Sequence, residues 1–197
     1  MKKFLINIRG VTSAGKTTMV RQFCEQRGFA VEMVETPFGK LPVSVLSGGG
    51  VVVLGDYSAN GNCLGVDRYE NGNKDIIDAI IETNNAYHPN IIIYEHMLSS
   101  AVSKGTCEIA EIARLCGFEY LGVQLSLSEE ERFRRLISRS GKNASYKQFN
   151  KKNGRAVERA TDRLRNAGLT VVVYDVENRD KNEMWRILDD AIRKALA

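Results

Sequence analysis

Residues 10 to 17 constrain the fold of this chain more than any other feature. They read Gly-Val-Thr-Ser-Ala-Gly-Lys-Thr, which is the complete pattern G-x-x-x-x-G-K-[S/T]. An apolar run from Lys3 to Arg9 precedes the pattern, and apolar residues at helical spacing follow it between Gly15 and Arg27. A strand, a glycine-rich loop and a helix in this order bring backbone N–H groups together at a helix amino terminus, where they bind phosphate. The sequence therefore predicts a phosphate-binding loop in an α/β fold.

The residues of this loop have distinct expected roles. We expect the Lys16 ammonium on the β- and γ-phosphates of a bound nucleotide and the Thr17 hydroxyl on Mg²⁺, so ATP and Mg²⁺ are the predicted cofactors. The predicted nucleotide-binding residues are Gly10, Ser13, Ala14, Gly15, Lys16, Thr17 and Thr18.

Composition indicates a single domain that needs no disulfides, no structural metal and no membrane helix. The chain has 197 residues, of which 43% are hydrophobic and 26% charged, which is enough to bury a core without disulfides or a structural metal. No apolar stretch approaches the roughly 18 residues of a membrane helix, so we expect a cytoplasmic protein with no membrane partner. The cysteines at 24, 63, 107 and 116 lack C-x-x-C spacing and nearby histidines, which predicts reduced thiols.

A strongly basic segment lies in the second half of the chain. Nine basic residues and no acidic residue occur from Arg132 to Arg155, which favours a polyanionic partner over a merely solvated helical face. Within it, Arg132, Arg135 and Arg139 follow the spacing of one helical face. Such a face is typical of a lid that closes over a transferred phosphate, so we expect Arg135 and Arg139 to be catalytic.

The rest of the chain favours a small kinase over other phosphate-loop proteins. The N-K-x-D pattern of a GTPase is absent: Asn73-Lys74-Asp75-Ile76 does not match it and does not stand where a GTPase has that pattern, after a later strand. A motor ATPase would need a larger chain. Glu95 directly follows the apolar run 91–94 and is the predicted Mg²⁺ carboxylate, the alternative being a loop carboxylate that caps the next turn. An ATP-binding regulatory module without transferase activity is a further alternative.

These patterns together predict a P-loop kinase-type three-layer α/β fold. We expect a parallel sheet with helices on both faces, because strand and helix patterns alternate along the chain. Ser47-Gly48-Gly49-Gly50 between two apolar runs predicts a β-hairpin insertion. The expected single domain, residues 1–197, contains a substrate-loop insertion at about 36–73 and an Arg-rich helical lid at about 129–167.

The order of the motifs resembles the bacteriophage P-loop kinases that phosphorylate 5-hydroxymethyluracil in DNA. The resemblance covers most of the chain and rests on the phosphate loop and glycine hairpin, Val51 to Tyr57, Gly65-Val66-Asp67-Arg68, the strand ending in Glu95, and Arg135-x-x-x-Arg139-x-Gly141-Lys142. Leu64 departs from the pattern, because the family has a glycine at that place. The resemblance implies transfer of the ATP γ-phosphate to the hydroxymethyl group of 5-hydroxymethyluracil in DNA, as a step in phage DNA hypermodification in the host cytoplasm.

This resemblance also implies a set of substrate residues. Because a base within a duplex must be flipped out and stacked on aromatics, we expect Tyr57 and Tyr69, with Phe38 at the approach, to contact it. Asp67 is the favoured catalytic base, and Asp56 and Glu35 are the alternatives. The predicted substrate-binding residues are Glu35, Asp56, Tyr57, Arg68 and Tyr69.

The alternative function is a deoxynucleoside or deoxynucleoside-monophosphate kinase that acts on a free deoxynucleotide. Asp67-Arg68-Tyr69 is similar to the Asp-Arg pair of thymidylate kinases. Glu35-Thr36-Pro37 stands where deoxynucleoside kinases have their base. The sequence leaves both acceptors open.

Overall fold

A computed structural model describes residues 2–58, 65–66, 69–96, 102–140 and 151–197, with the backbone alone at 139–140 and 151–153. The strands are β1 (Lys3–Gly10), β2 (Phe29–Thr36), β3 (Gly39–Leu46), β4 (Val51–Leu54), β5 (Ile91–Glu95), β6 (Phe118–Ser126) and β7 (Thr170–Asp175). The helices are α1 (Lys16–Arg27), α2 (Asn73–Tyr87), α3 (Ser103–Leu115), α4 (Glu129–Ser140), α5 (Lys151–Asn166) and α6 (Trp185–Leu196), and a 3₁₀ turn (Lys181–Glu183) precedes α6.

All seven strands form one sheet, in the order β2-β3-β4-β5-β1-β6-β7. Strands β4, β5, β1, β6 and β7 pair in parallel, whereas β2 and β3 pair antiparallel with each other, as do β3 and β4. The phosphate-loop strand β1 therefore lies between two parallel neighbours, and its residues 4–10 are buried. Since β2 runs in the same direction as β1, the carboxyl ends of β1, β2, β4 and β5 lie along the same edge of the sheet.

Helices cover both faces of the sheet, which confirms the predicted three-layer fold. On one face, Ile6 and Ile8 pack in a core with Phe23 of α1 and Leu188 of α6. On the other, Leu5 belongs to a core formed with α2, α3 and α5. The two cores alternate along β1 because successive side chains of a strand point to opposite faces.

The predicted glycine hairpin is confirmed, and it is joined to the main sheet. Strand β4 pairs in parallel with β5, with Val51 opposite Ile91, while it also pairs with β3. The segment predicted as an insertion at 36–73 thus contains two strands of the central sheet. Gly48 and Gly49 lack a Cβ atom and therefore adopt positive φ angles (96° and 71°), which allow the tight turn between β3 and β4.

The described residues also show where β6 begins and the state of three of the four cysteines. Strand β6 begins at Phe118, because Gly117, at a φ of 85°, reverses the chain directly after α3. Cys24, Cys107 and Cys116 are free thiols, as expected, and Cys63 lies outside the described residues. Across the described ranges, no helix is both long and apolar enough to cross a bilayer.

Candidate functional site

The phosphate loop is shaped by backbone conformations that require small residues. Gly10 has a φ of 139°, and a Cβ atom there would lie 2.7 Å from the carbonyl oxygen of Leu125 on β6. Ser13 and Gly15 also have positive φ angles, of 68° and 96°. Left-handed residues between right-handed ones aim successive N–H groups toward one side, which is the arrangement that binds anions.

The amino terminus of α1 completes this anion site. Gly15 is the residue before the helix, no side chain caps it, and the N–H of Met19 donates to the Gly15 carbonyl at 2.9 Å. The N–H groups that precede Met19 therefore point out of the helix end, where the helix dipole is positive. Phosphate oxygens are the ligand that this end of the helix fits.

The side chain of Lys16 lies across the phosphate loop. Its ammonium donates to the carbonyl oxygens of Gly10 at 3.0 Å and Val11 at 3.3 Å. The Ser13 hydroxyl oxygen is buried and has no hydrogen-bond partner among the described residues, although a buried hydroxyl ordinarily has one. A ligand with several acceptor oxygens, such as a nucleotide phosphate, would satisfy both the ammonium and the hydroxyl.

Glu95 ends β5 directly beside the strand that carries the phosphate loop. Its pairing partner on β1 is Ile8, two residues before Gly10, and its side chain is 2% exposed. The hydroxyl of Tyr57 donates to Glu95 Oε1 at 3.0 Å. Burial above all, and then the neighbouring Glu95 carboxylate, raise the pKa of Tyr57 well above its ordinary value, so the hydroxyl keeps its proton and donates. Carboxylate and hydroxyl oxygens are ligands that suit Mg²⁺, and Glu95 and Thr17 are the residues that could hold it.

Gly65 is a site residue whose role the sequence analysis did not identify. A Cβ atom on it would lie 2.6 Å from Cγ of Glu95 and 2.9 Å from the hydroxyl oxygen of Tyr57. A glycine is required here because the backbone itself packs against the buried pair. The one indication of this role in the sequence is the presence of a glycine within the predicted substrate loop. Val66, which follows Gly65, is fully buried and anchors the chain there. Asp67 and Arg68 lie outside the described residues.

The two tyrosines predicted to stack on a flipped base are in the core. Tyr57 is 1% exposed, and Tyr69 is 6% exposed with its hydroxyl donating to the Pro42 carbonyl at 2.9 Å. Neither ring presents a face for a base in this structure. Among the described aromatics, Phe38 is the exposed one, at 53%.

Glu35 and Asp56, the alternative candidates for the catalytic base, lie at different distances from the phosphate loop. Glu35 is exposed on β2 and pairs with Lys40 at 2.9 Å, and this hydrogen bond is the main cause that lowers the pKa of Glu35. Strand β2 is four positions from β1, which corresponds to about 19 Å at the usual strand spacing. Asp56 follows β4, two positions from β1 or about 10 Å, and accepts hydrogen bonds from the Ser58 backbone N–H (3.0 Å) and hydroxyl (2.6 Å).

The first helix of the predicted lid is attached to the end of β7. The Ser128 hydroxyl accepts from the Glu131 N–H at 3.2 Å and so caps α4, and the Glu131 carboxylate binds Arg134 and Arg135. Arg135 also donates to the Val176 carbonyl at 2.7 Å, so its guanidinium connects α4 to the chain after β7. The side chain of Arg139 lies outside the described residues.

Comparison with known proteins gives a likeness of fold. No protein-family model matches the chain, and no curated protein matches it significantly. A solved structure from a study of the PezAT chromosomal toxin-antitoxin system of Streptococcus pneumoniae is 14% identical over 98% of this chain and 86% of that chain, with a TM-score of 0.51. A de novo designed protein with a P-loop NTPase fold is 13% identical over 98% of this chain and 92% of that chain (TM-score 0.44), and a gluconokinase from Sinorhizobium meliloti is 14% identical over 98% and 93% (TM-score 0.48). The strand order, the phosphate loop and the likeness to the first of these structures together show that this chain has the P-loop NTPase fold.

Proposed function

We propose that this protein is a kinase that uses ATP and Mg²⁺. The observation that carries the proposal is the phosphate loop with Lys16 across it and the buried Glu95 on the adjacent strand. When Mg²⁺ is bound, it neutralises charge on the phosphates, and Thr17 and Glu95 are the residues proposed to hold it. Lys16 supplies a second positive charge at the β- and γ-phosphates, where negative charge increases during transfer.

The acceptor that we propose is the hydroxymethyl oxygen of 5-hydroxymethyluracil in DNA. Three observations support it: the resemblance of the motifs, the acid-free basic segment from Arg132 to Arg155, and the anchoring of the 65–66 chain segment against Glu95. A basic segment of this kind suits the DNA phosphate backbone as well as the nucleotide.

The reaction needs one bond to form and one to break. The hydroxymethyl oxygen attacks the γ-phosphorus of ATP, the bond from that phosphorus to the bridging oxygen breaks, and ADP leaves with the bonding electrons. The hydroxyl proton passes to a carboxylate, for which Asp67 is the proposed residue. Of the alternatives, Glu35 is disfavoured by its distance of about 19 Å from β1 and its ion pair with Lys40. Asp56 remains the alternative to test.

The proposal is tested by presenting three acceptors in parallel with γ-labelled ATP. These are DNA containing 5-hydroxymethyluracil, the same DNA with thymine, and the free 5-hydroxymethyl deoxynucleotide. We expect label on the first acceptor alone, with none for the matched variant Lys16→Ala. Label on the free nucleotide alone would replace the proposal by a deoxynucleotide kinase, and no label on any acceptor would support an ATP-binding module without transferase activity.

The catalytic base is tested by three conservative variants assayed side by side. Asp67→Asn is expected to lower transfer by roughly 10²- to 10⁴-fold while ATP and DNA binding survive. Asp56→Asn and Glu35→Gln serve as the matched comparisons, because each also removes one negative charge with little change in shape. Normal transfer by Asp67→Asn together with loss in Glu35→Gln would assign the base to Glu35 and favour the deoxynucleoside kinase.

A further inference from the structure

The β2–β3 hairpin extends past the end of β4, on the side of the sheet that carries the phosphate loop. Val43 of β3 pairs with Leu54, the last residue of β4, and β3 begins four residues earlier, at Gly39. Four strand residues span about 14 Å, so the hairpin tip projects by about that distance past the end of β4. The Thr36 hydroxyl donates to the Gly39 carbonyl at 2.8 Å and accepts from the Phe38 N–H at 3.3 Å, which closes the turn.

An aromatic ring is exposed at this tip. Phe38 is 53% exposed. Its neighbours in the turn, Pro37 and Gly39, are exposed as well, so they provide no apolar surface in which the ring could be buried. The ammonium of Lys74, in the first turn of α2, lies 3.6 Å from the centre of the ring. This contact joins the hairpin tip to α2. Core packing does not explain an aromatic residue at this position, since the ring leaves half of its surface to solvent.

The distance from the phosphate loop limits what the ring can contact. Strand β3 is three positions from β1, which corresponds to about 14 Å. Nucleotides in a fully stacked strand rise by about 3.4 Å each and lie further apart in an unstacked one, so this separation equals at most about four nucleotides. A base whose hydroxymethyl group is at the γ-phosphate cannot reach Phe38, whereas a base further along the same polynucleotide can.

We infer that Phe38 is a stacking platform for a base within about four nucleotides of the reacting base, in single-stranded or locally opened DNA. This inference rests on the proposed function, because it requires a polynucleotide acceptor. Every base has an aromatic face, so the platform would select for strand length and not for sequence. Lys74 places one positive side chain against the ring, whereas the positive charge of Lys40 is paired with Glu35.

The test is a binding series with fluorescent thymidine oligonucleotides of 2, 4, 8 and 12 nucleotides. Stacking on an aromatic side chain contributes about 1–3 kcal/mol per base, so Phe38→Ala is expected to weaken binding of the 8-mer and 12-mer by about 5- to 150-fold. We expect no change for the 2-mer. Phe38→Tyr keeps an aromatic face and should bind as the wild type does. Met33→Ala is the matched control, because Met33 is 50% exposed on the same hairpin and is not aromatic.

Four results would overturn the inference. These are wild-type affinity of Phe38→Ala for the 12-mer, an equal loss for the 2-mer and the 12-mer, an equal loss in Met33→Ala, or no binding of the 12-mer by the wild type. The acceptor assay separates this inference from the proposed function. If Phe38-dependent, length-dependent binding occurs but DNA is not phosphorylated, the platform stands and the acceptor is wrong. If DNA is phosphorylated and Phe38→Ala binds normally, the acceptor stands and the platform is wrong.

Discussion

Tyr57 and Glu95 form a buried pair whose strength can be measured by removing a single oxygen atom. The two side chains are 1% and 2% exposed, and the hydroxyl donates to the carboxylate at 3.0 Å. A hydrogen bond to a charged group contributes about 1.5–3 kcal/mol, and water does not replace the lost donor at a site this buried. We therefore expect Tyr57→Phe to lower the free energy of unfolding by about 1.5–3 kcal/mol. For a domain of this size, that corresponds to a fall in Tm of about 3–12 °C, measurable by calorimetry and urea titration.

Tyr69→Phe is the matched control for this prediction. Tyr69 is also buried, at 6% exposure, but its hydroxyl donates to a neutral acceptor, the Pro42 carbonyl, at 2.9 Å. The same substitution should cost only about 0.5–1.5 kcal/mol there. If Tyr57→Phe costs no more than Tyr69→Phe, then Glu95 is not a charged acceptor in the folded protein. Its assignment as the Mg²⁺ carboxylate would then be wrong as well.

Three further variants test the loop and the lid. Lys16→Ala should lower phosphoryl transfer by at least about 10²-fold with an unchanged circular dichroism spectrum, and turnover above a tenth of wild type would contradict its role. Gly10→Ala places a Cβ atom 2.7 Å from a carbonyl oxygen of β6 at a φ of 139°, so we expect a cost of at least about 1–3 kcal/mol in urea unfolding; an unchanged midpoint would refute the close contact. Hydrogen bonds from Arg134 and Arg135 lower the pKa of Glu131 from 4.5 to about 2, so its stabilising contribution is present above pH 4.5 and is lost as the pH falls toward 2. Wild type should therefore lose its stability advantage over Glu131→Gln across that window, whereas parallel acid-unfolding curves would contradict the ion pair.

The sequence alone determined the local parts of this protein. The phosphate loop could be predicted because residues 10–17 each meet a local requirement: small side chains for the turn, a lysine, and a hydroxyl at the start of a helix. The alternation of helices and strands could be predicted from apolar periodicity. The position of Glu95 beside the loop could be predicted as well, because a continuous apolar run is typical of a strand in the centre of a parallel sheet.

Contacts between other distant parts of the chain, and the burial of individual side chains, required the tertiary structure. Aromatic side chains are common both in cores and on stacking surfaces. The sequence therefore could not distinguish the buried Tyr57 and Tyr69 from the exposed Phe38. The need for glycine at position 65 arises from Glu95, which is 30 residues away in the chain, and no local pattern reports such a contact. The separation of Glu35 from the loop depends on the strand order, which is set by the burial of whole faces of the sheet and not by any single segment.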